Sequence, residues 1–572
     1  MAFTVSMPQP STHIFHVAFR SEGLQGEIED FKMPVWTPGY YGIGDYARNV
    51  RDFRAEDGAG RPLPWEKVTK NTWRVAAGNA PAILVSYDVY GATSFAAQTF
   101  LGENRAYISP TGLFLHVAGR IQHPVTVTIQ PPPNWTRIST GLDPVPGRPN
   151  TFSAPDFDVL YDCPVLLGNQ EVRQFEVQGI PHRVVIENVA AGVDREKMLA
   201  DLKRMVETAT RLIGDVPYKH YTFLMMGTGN GGIEHANSAS IAFNGNSLNT
   251  ESGYQRWLSY VAHEYFHNFN VKRIRPIALG PFDYDKENLT DMLWVSEGLS
   301  VYYQDIVMVR AGLSTRDQYL DKMKNSITRF ENAPGRHYQS ATESSLNTWG
   351  TGSGVGADRN TSISYYDNGA MLGAMLDLKI RNESQNRRSL DDVMRALYRK
   401  YYLGKKRGFT DAEFREECES AAGGVLTEVF EYASTTKDAD YAKYFAYAGL
   451  QVDITAQEAP GAYLGVNTQT EDGRLVISGV TPESPAQSAG LSARDQILEV
   501  DSTRATPKVL NDLLAAKKPG DQIKAHISRD NAPRDVEVVL GKNTKRNFSI
   551  QPIVNPNPLQ AAILKDWLRD AQ

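Results

Sequence analysis

The stretch "YVAHEYFHNFNV", residues 260–271, constrains the fold more than any other in the chain. His263 and His267 stand four apart with Glu264 between them, and in a helix such positions lie on one face, nearly one above the other. Tyr260, Val261, Ala262, Tyr265, Phe266 and Phe269 make the flanks apolar and aromatic, which predicts a buried helix. Two buried imidazoles need partners, either the hydrogen bonds of ordinary core histidines or a metal ion. The spacing points to the metal, with Glu264 close to the open coordination position, but it calls for a third ligand.

Thirty residues beyond His267 comes "LWVSEGLSVYYQD", where Glu297 opens an apolar segment with helical spacing. A carboxylate there completes a His₂Glu set and leaves zinc one open position for water. Alone, Glu297 reads equally well as a helix N-terminal residue held by the dipole. Beside the histidine pair, the ligand reading prevails.

At 572 residues the chain exceeds what one core accommodates. Residues 1–180 read as an all-β domain, with alternating stretches such as "TVTI" and "HRVVIE" between turn signals such as "TPGYYG" and "QPPPNW". Helical spacing begins at "DREKMLADLKRMVETATRLIG", and helices are expected to dominate 181–457. Residues 333–362, rich in Gly, Ser, Thr and Asn, read as one long loop, either functional or a surface excursion. Residues 458–545 return to short strands around one small helix, and 546–572 form a tail whose Leu559, Ile563, Leu564, Trp567 and Leu568 share one side of a short helix that packs on the body. The fold class expected is therefore multidomain α+β.

The net charge is −6 and no basic cluster stands out, so no nucleic-acid surface is expected. No apolar run reaches membrane-spanning length. Cys163 and Cys418 make neither a disulfide framework nor a cysteine metal site. The start, "MAFTVSMPQP", has no signal-peptide pattern, so two compartments stay open: cytoplasmic, or exported to a periplasm with a leader already removed. "GTGNGG" has Gly227, Gly229 and Gly232 at dinucleotide-binding spacing, but strand-like alternation follows where a phosphate site needs a helix.

His263-Glu264-Tyr265-Phe266-His267 with Trp294-Val295-Ser296-Glu297-Gly298 resembles the gluzincin zinc metallopeptidases, particularly the aminopeptidase N-like enzymes. "GGIEH" (Gly231–His235) is similar to their glycine-x-methionine-glutamate-asparagine motif, and "YYDNGAML" to their tyrosine-x-lysine-glycine segment. With "PVWTPGYYGIGDYARNV" near the N-terminus and the PDZ-like 458–545, the whole chain resembles the PDZ-containing glycyl aminopeptidase family.

The resemblance implies a thermolysin-like zinc domain and hydrolysis of small N-terminal residues (Gly, Ala) from peptides with a free N-terminus. Glu264 would serve as the base and Tyr366 as the transition-state tyrosine, with adjacent Tyr365 an alternative. Glu234 would grip the α-ammonium, with His235 orienting it, beside the close-approach glycines Gly231 and Gly232. His235 and Asn368 depart from the motif residues Asn and Lys, and Gln304 stands where a Glu is frequent, as a partner for a zinc histidine. Tyr463-Leu464-Gly465-Val466 matches the PDZ carboxylate-binding loop, although Arg494 replaces the usual Gly before Asp495. Two other functions stay open: an endopeptidase with PDZ-presented substrates, and a catalytically silent PDZ scaffold.

Overall fold

The computed structural model describes every residue except 25, 352–359, 454–459, 543–545 and 570–572. In the N-terminal part, hydrophobic residues alternate with polar ones, as in Ile14–Glu22, where Phe15, Val17 and Phe19 are buried between more exposed neighbours. Such strands build a seven-stranded sheet in which Ala2–Ser6 lies between Ile14–Glu22 and Val125–Gln130. Two four-stranded sheets complete this region and share its core, where Phe3, Phe19, Phe114 and Phe157 pack together.

The expected break at 180 falls inside a hairpin. Strand Glu171–Val177 pairs with Ile180–Glu187 and opens the five-stranded sheet of the middle unit, so the change of unit precedes position 171. Cross-strand pairing overrides the composition that grouped residues 171–180 with the N-terminal strands. Sheet order then runs through Tyr221–Met226 and Ser238–Ala242 to an antiparallel edge strand, Gly232–Glu234. Strands, not a helix, follow "GTGNGG", so the phosphate-binding geometry is absent there.

Helices cover this sheet. Arg195–Ile213 is capped by the Asp194 carboxylate, which accepts from the Lys197 N–H, and ends at Gly214 with φ +89°. Glu251–Phe266, Leu299–Arg310 and Tyr365–Glu383 form the buried centre. Residues 333–351 are not a single loop. They hold a 3₁₀ turn, Pro334–His337, and helices Ala341–Leu346 and Thr348–Thr351, the first of these two fixed by a Ser340/Glu343 capping box. Capping chemistry decides there over small-residue content, while 352–359 lie outside the described residues.

A separate core lies inside 462–540, where Leu464, Ile477, Ile497, Ile527 and Val538 pack together. Its sheet has Val466–Glu471 at one edge, and the helix Pro507–Ala516 lies near it. Gly465 has φ +87° and Arg494 φ +73°, so the turn that favours glycine forms with arginine in left-handed backbone. The architecture is thus multidomain α+β: an N-terminal β region, a helical middle and a C-terminal PDZ-like region.

After that region the chain rejoins the middle unit. Ser549–Pro552 pairs with Leu450–Asp453, and the helix Pro558–Trp567 buries Ile563 and Trp567 in the central core. Trp567 Nε1 donates to the Tyr302 hydroxyl (2.9 Å), which donates to Asp377 (2.6 Å). Trp567→Ala is expected to cost about 3–5 kcal/mol through the cavity it leaves. Chemical denaturation of the variant should show a markedly lower midpoint for the middle unit; a midpoint near wild type would show that the tail is only loosely docked.

Candidate active site

Helix Glu251–Phe266 starts where the Thr250 hydroxyl accepts from Gly253 N–H, and its last turn carries His263 and Glu264, with His267 at the C-terminal cap. Glu297 sits in a single π-helical turn, Trp294–Gly298, that leads into Leu299–Arg310. Such turns re-aim side chains and recur at functional sites. The two Nε2 atoms lie 3.0 Å apart, and Glu297 Oε2 is 3.5 Å from that of His263 and 3.2 Å from that of His267.

His267 Nδ1 donates to the Asn270 carbonyl (2.8 Å), which turns Nε2 toward His263 and Glu297. The Asn270 amide donates to the carbonyls of Val295 (2.9 Å) and Ser296 (2.8 Å), tying the histidine turn to the glutamate turn. Ser300 Oγ, 3.2 Å from His267 Nδ1, is bound to Ser296. Gln304 does not take the part expected of it: its amide donates to Ser259 (3.1 Å). The place near His267 Nδ1 is taken by Ser300 and the Asn270 carbonyl.

Glu234, Glu264 and Glu297 are 3%, 4% and 2% exposed, so three carboxylates share one buried pocket. Burial pushes Glu264 up to about 8; the Glu234 and Glu297 carboxylates add to the effect and His267 opposes it. Burial works to lower His267, but the carboxylates, led by Glu297, push it up to about 10. Burial holds His263 below its ordinary value, helped by His267. The ligand atoms of His263, His267 and Glu297 all lie within 4.8 Å of one another. Converging electron pairs in a pocket with surplus negative charge fit a dication that takes nitrogen and oxygen ligands, zinc foremost.

The edge strand lies against this group. A Cβ on Gly232 would stand 2.3 Å from Glu264 Oε1, and one on Gly231 (φ +86°) would stand 2.6 Å from the Phe95 ring. Among the described residues Glu234 Oε1 has no hydrogen-bond partner; Lys272 Nζ is 4.0 Å away. A Cβ on Gly39 would reach within 2.8 Å of Glu234 Oε2, so the "TPGYYG" segment closes over that carboxylate. His235 does not orient Glu234. Its Nδ1 faces Asp162 Oδ1 (3.2 Å), which also accepts from Lys272 (2.9 Å).

Helix Tyr365–Glu383 is capped by Ser364 and brings two tyrosines to the site. The Tyr366 ring centre lies 6.2 Å from that of His263. Tyr365 stacks on Tyr366 at 4.7 Å, and its fully buried hydroxyl lies 3.2 Å from Thr348 Oγ1. Gly298 and Gly369 touch backbone to backbone, so neither tolerates a Cβ. In the PDZ-like region, Tyr463–Val466 precede the edge strand, with Leu464 buried and its carbonyl accepting from Ala486 N–H (2.9 Å).

Five residues of this neighbourhood escape sequence reasoning: Tyr41, Asp162, Asn270, Lys272 and Ser300. Burial, the Glu297 charge and a hydrogen bond to it raise the Tyr41 hydroxyl well above its ordinary range. Asn270, Ser300 and Tyr41 lie inside stretches quoted above, but nothing local marks them as partners of the site.

Residues 2–169 match the Peptidase M61 N-terminal domain, 256–372 the M61 glycyl aminopeptidase domain and 462–540 a PDZ domain. The structure of an aminopeptidase N family protein from Idiomarina loihiensis is 27% identical, with a TM-score of 0.90 over 99% of each chain. A variant M1 zinc metallopeptidase from Deinococcus radiodurans, solved with Tyr-Ser-Ala bound, shares the fold at 12% identity and a TM-score of 0.50, over 77% of this chain and 94% of that one. A probable CtpA-like serine protease from Staphylococcus haemolyticus is 22% identical over 166 residues, 28% of this chain, and the match spans 30% of that protein's length. Among the described residues no helix is long and apolar enough to cross a membrane. The chain belongs to the M61 glycyl aminopeptidases, a peptidase family, with a PDZ domain joined to its peptidase domain.

Proposed function

We propose that the protein is a zinc aminopeptidase that removes small residues, Gly or Ala, from peptides with a free N-terminus. The observation that carries this reading is the meeting of His263 Nε2, His267 Nε2 and Glu297 Oε2 beside Glu264 and the unpartnered Glu234 Oε1. His263, His267 and Glu297 would hold the zinc, which when bound supplies Lewis acidity at the scissile carbonyl and makes a water acidic.

Glu264 accepts the proton of the attacking water and passes it to the departing amine. Its buried carboxyl, with Tyr260 hydrogen-bonded to it, suits both halves of that transfer. The Tyr366 hydroxyl donates to the oxygen that gains charge as the carbonyl is attacked. Its partly buried place near the His263 ring supports it over Tyr365, whose hydroxyl is turned to Thr348. The edge strand Gly232–Glu234 has one side free to pair with a substrate backbone, and its glycines permit that approach.

Glu234 Oε1 receives the α-ammonium. Gly39, Ile233 and Phe95 crowd this carboxylate and its strand, which supports a small first residue. At the PDZ domain, the Tyr463–Val466 loop and the edge strand Val466–Glu471 would take a peptide C-terminus.

Elemental analysis should find one zinc per chain, lost in His267→Ala. Glu264→Gln should keep the zinc and lose turnover, because an amide cannot accept the proton; absence of zinc from the wild type would end this reading.

Tyr366→Phe should lower kcat by about two to four orders of magnitude, the loss of one oxyanion donor or somewhat more. Tyr365→Phe should act mainly on stability. A dead Tyr365→Phe beside a near-normal Tyr366→Phe would transfer the role to the neighbour.

Glu234→Ala should cut kcat/KM on free-amine substrates by about one to two orders of magnitude, as for one charge-assisted hydrogen bond. It should also erase their advantage over N-acetylated peptides while zinc stays bound. If the wild type cleaves blocked and free peptides alike, the enzyme is an endopeptidase.

A further inference from the structure

Behind the Glu234 strand, on the far side of Asp162 and Lys272, lies a cavity of about 350 Å³ that the proposed reaction does not use. The segment "VKRIRP", directly after the histidine turn, sends Lys272, Arg273 and Arg275 to its wall, and Lys219 and His220 line it too.

Among the described residues Lys272 and His220 have a carboxylate at close range, and the two arginines do not. Lys272 has Asp162 at 2.9 Å. Arg273 is 8% exposed and spends its Nη atoms on the carbonyls of Ala236, Asn268 and Pro217, with no carboxylate partner, while its Nε has no partner at all. Arg275 makes no hydrogen bond or ion pair among the described residues; its guanidinium lies over the Phe282 ring at 5.7 Å and against Gly280. His220 Nδ1 is likewise buried and unpartnered, its Nε2 being held by Asp143 at 3.0 Å.

The carboxylates of the wall are engaged elsewhere. Asp158 accepts from the Tyr284 hydroxyl (2.7 Å) and Gln122 (3.0 Å), and Asp162 serves Lys272, His235 and Ala236 N–H. Buried guanidinium charges without an acid partner are costly, and an anion supplied from outside removes that cost. A guanidinium without a close acid partner, beside a space at the lower end of small-molecule sites whose wall also carries Lys219 and Lys272, matches a small oxyanion.

We propose that this cavity binds a small organic anion through a carboxylate or phosphate group, with Arg275 as its principal contact. The site is distinct from the metal centre and stands whether or not the aminopeptidase reading does.

Titration calorimetry of the full-length, zinc-loaded protein with inorganic phosphate and, separately, with succinate tests it. Saturable binding of at least one is expected, weakened about tenfold or more in Arg275→Ala, the loss of one charge-assisted hydrogen bond. Should that variant fail to fold, as judged by circular dichroism, Arg275→Gln keeps the stem and a polar end without the charge and should show the same weakening. Binding of phosphate alone assigns a phosphate group, and of succinate alone a carboxylate. Glu234→Ala, at the proposed amine subsite, should leave the affinity unchanged. No saturable binding of either anion, or equal affinity in the Arg275 variants, overturns the proposal, as does loss of binding in Glu234→Ala, which would place the anion in the substrate cleft.

Discussion

The site depends on two backbones meeting without side chains between them. A Cβ at Gly298 would lie 2.4 Å from Gly369 Cα, and one at Gly369 would lie 2.4 Å from the Trp294 carbonyl oxygen. That contact presses the π-turn carrying Glu297 onto the helix carrying Tyr366, closer than ordinary helix packing allows. Any larger residue would separate the two elements and with them Glu297 from the tyrosines. The Asn270 amide makes the complementary tie, from the histidine turn to the same π-turn. Three elements distant in sequence are thereby held by one glycine pair and one amide.

What was legible in the sequence was what is local or strongly periodic. Histidines four apart need only a helix to share a face, and the alternation of Ile14–Glu22 needs only a strand. Gln304 shows where the reasoning stops: seven residues is two turns of an α-helix, but its amide goes to Ser259, and Ser300 and Asn270 stand near His267 Nδ1 instead. The hairpin across position 180 and the caps within 333–351 are similar cases, in which pairing and capping outweigh composition. Asp162, Tyr41 and Gly39 were not legible because each comes from the N-terminal unit and joins the site only through tertiary packing.

That contribution makes the N-terminal unit part of the cleft. Trp36 donates to the Asp283 carbonyl (2.8 Å) and meets Trp349 edge to face at 5.1 Å, which fixes the segment running on to Gly39 and Tyr41. Asp162 sits between His235 and Lys272; burial would raise it, but the Lys272 charge and the hydrogen bond from His235 hold it well below the usual carboxylate range. Lys272 is thereby drawn toward Asp162, at 2.9 Å, and away from Glu234, at 4.0 Å. A buried carboxylate keeps its appetite for an incoming cation only if its neighbouring lysine is occupied elsewhere. Asp162 provides that occupation, so in the proposed aminopeptidase the N-terminal unit would govern how strongly Glu234 holds an amine.

The PDZ domain is attached at more than its ends. The strand Leu450–Asp453 before it pairs with Ser549–Pro552 after it, so both connections leave from one two-stranded ladder. Asn332, just past the helix Arg316–Glu331, exchanges two hydrogen bonds with the backbone of Arg546, whose guanidinium reaches Glu331 at 3.0 Å. Glu331 also faces Arg336 at 3.3 Å, so one buried carboxylate holds two arginines from opposite sides of the junction. On the other flank, a Cβ on Gly479 would stand 3.0 Å from the Asn360 amide, in the segment that leads to the Ser364 cap of the Tyr366 helix. A side chain at 479 would push directly on that segment. Glycine there lets the PDZ sheet lie against the lead-in to the tyrosine helix without displacing it.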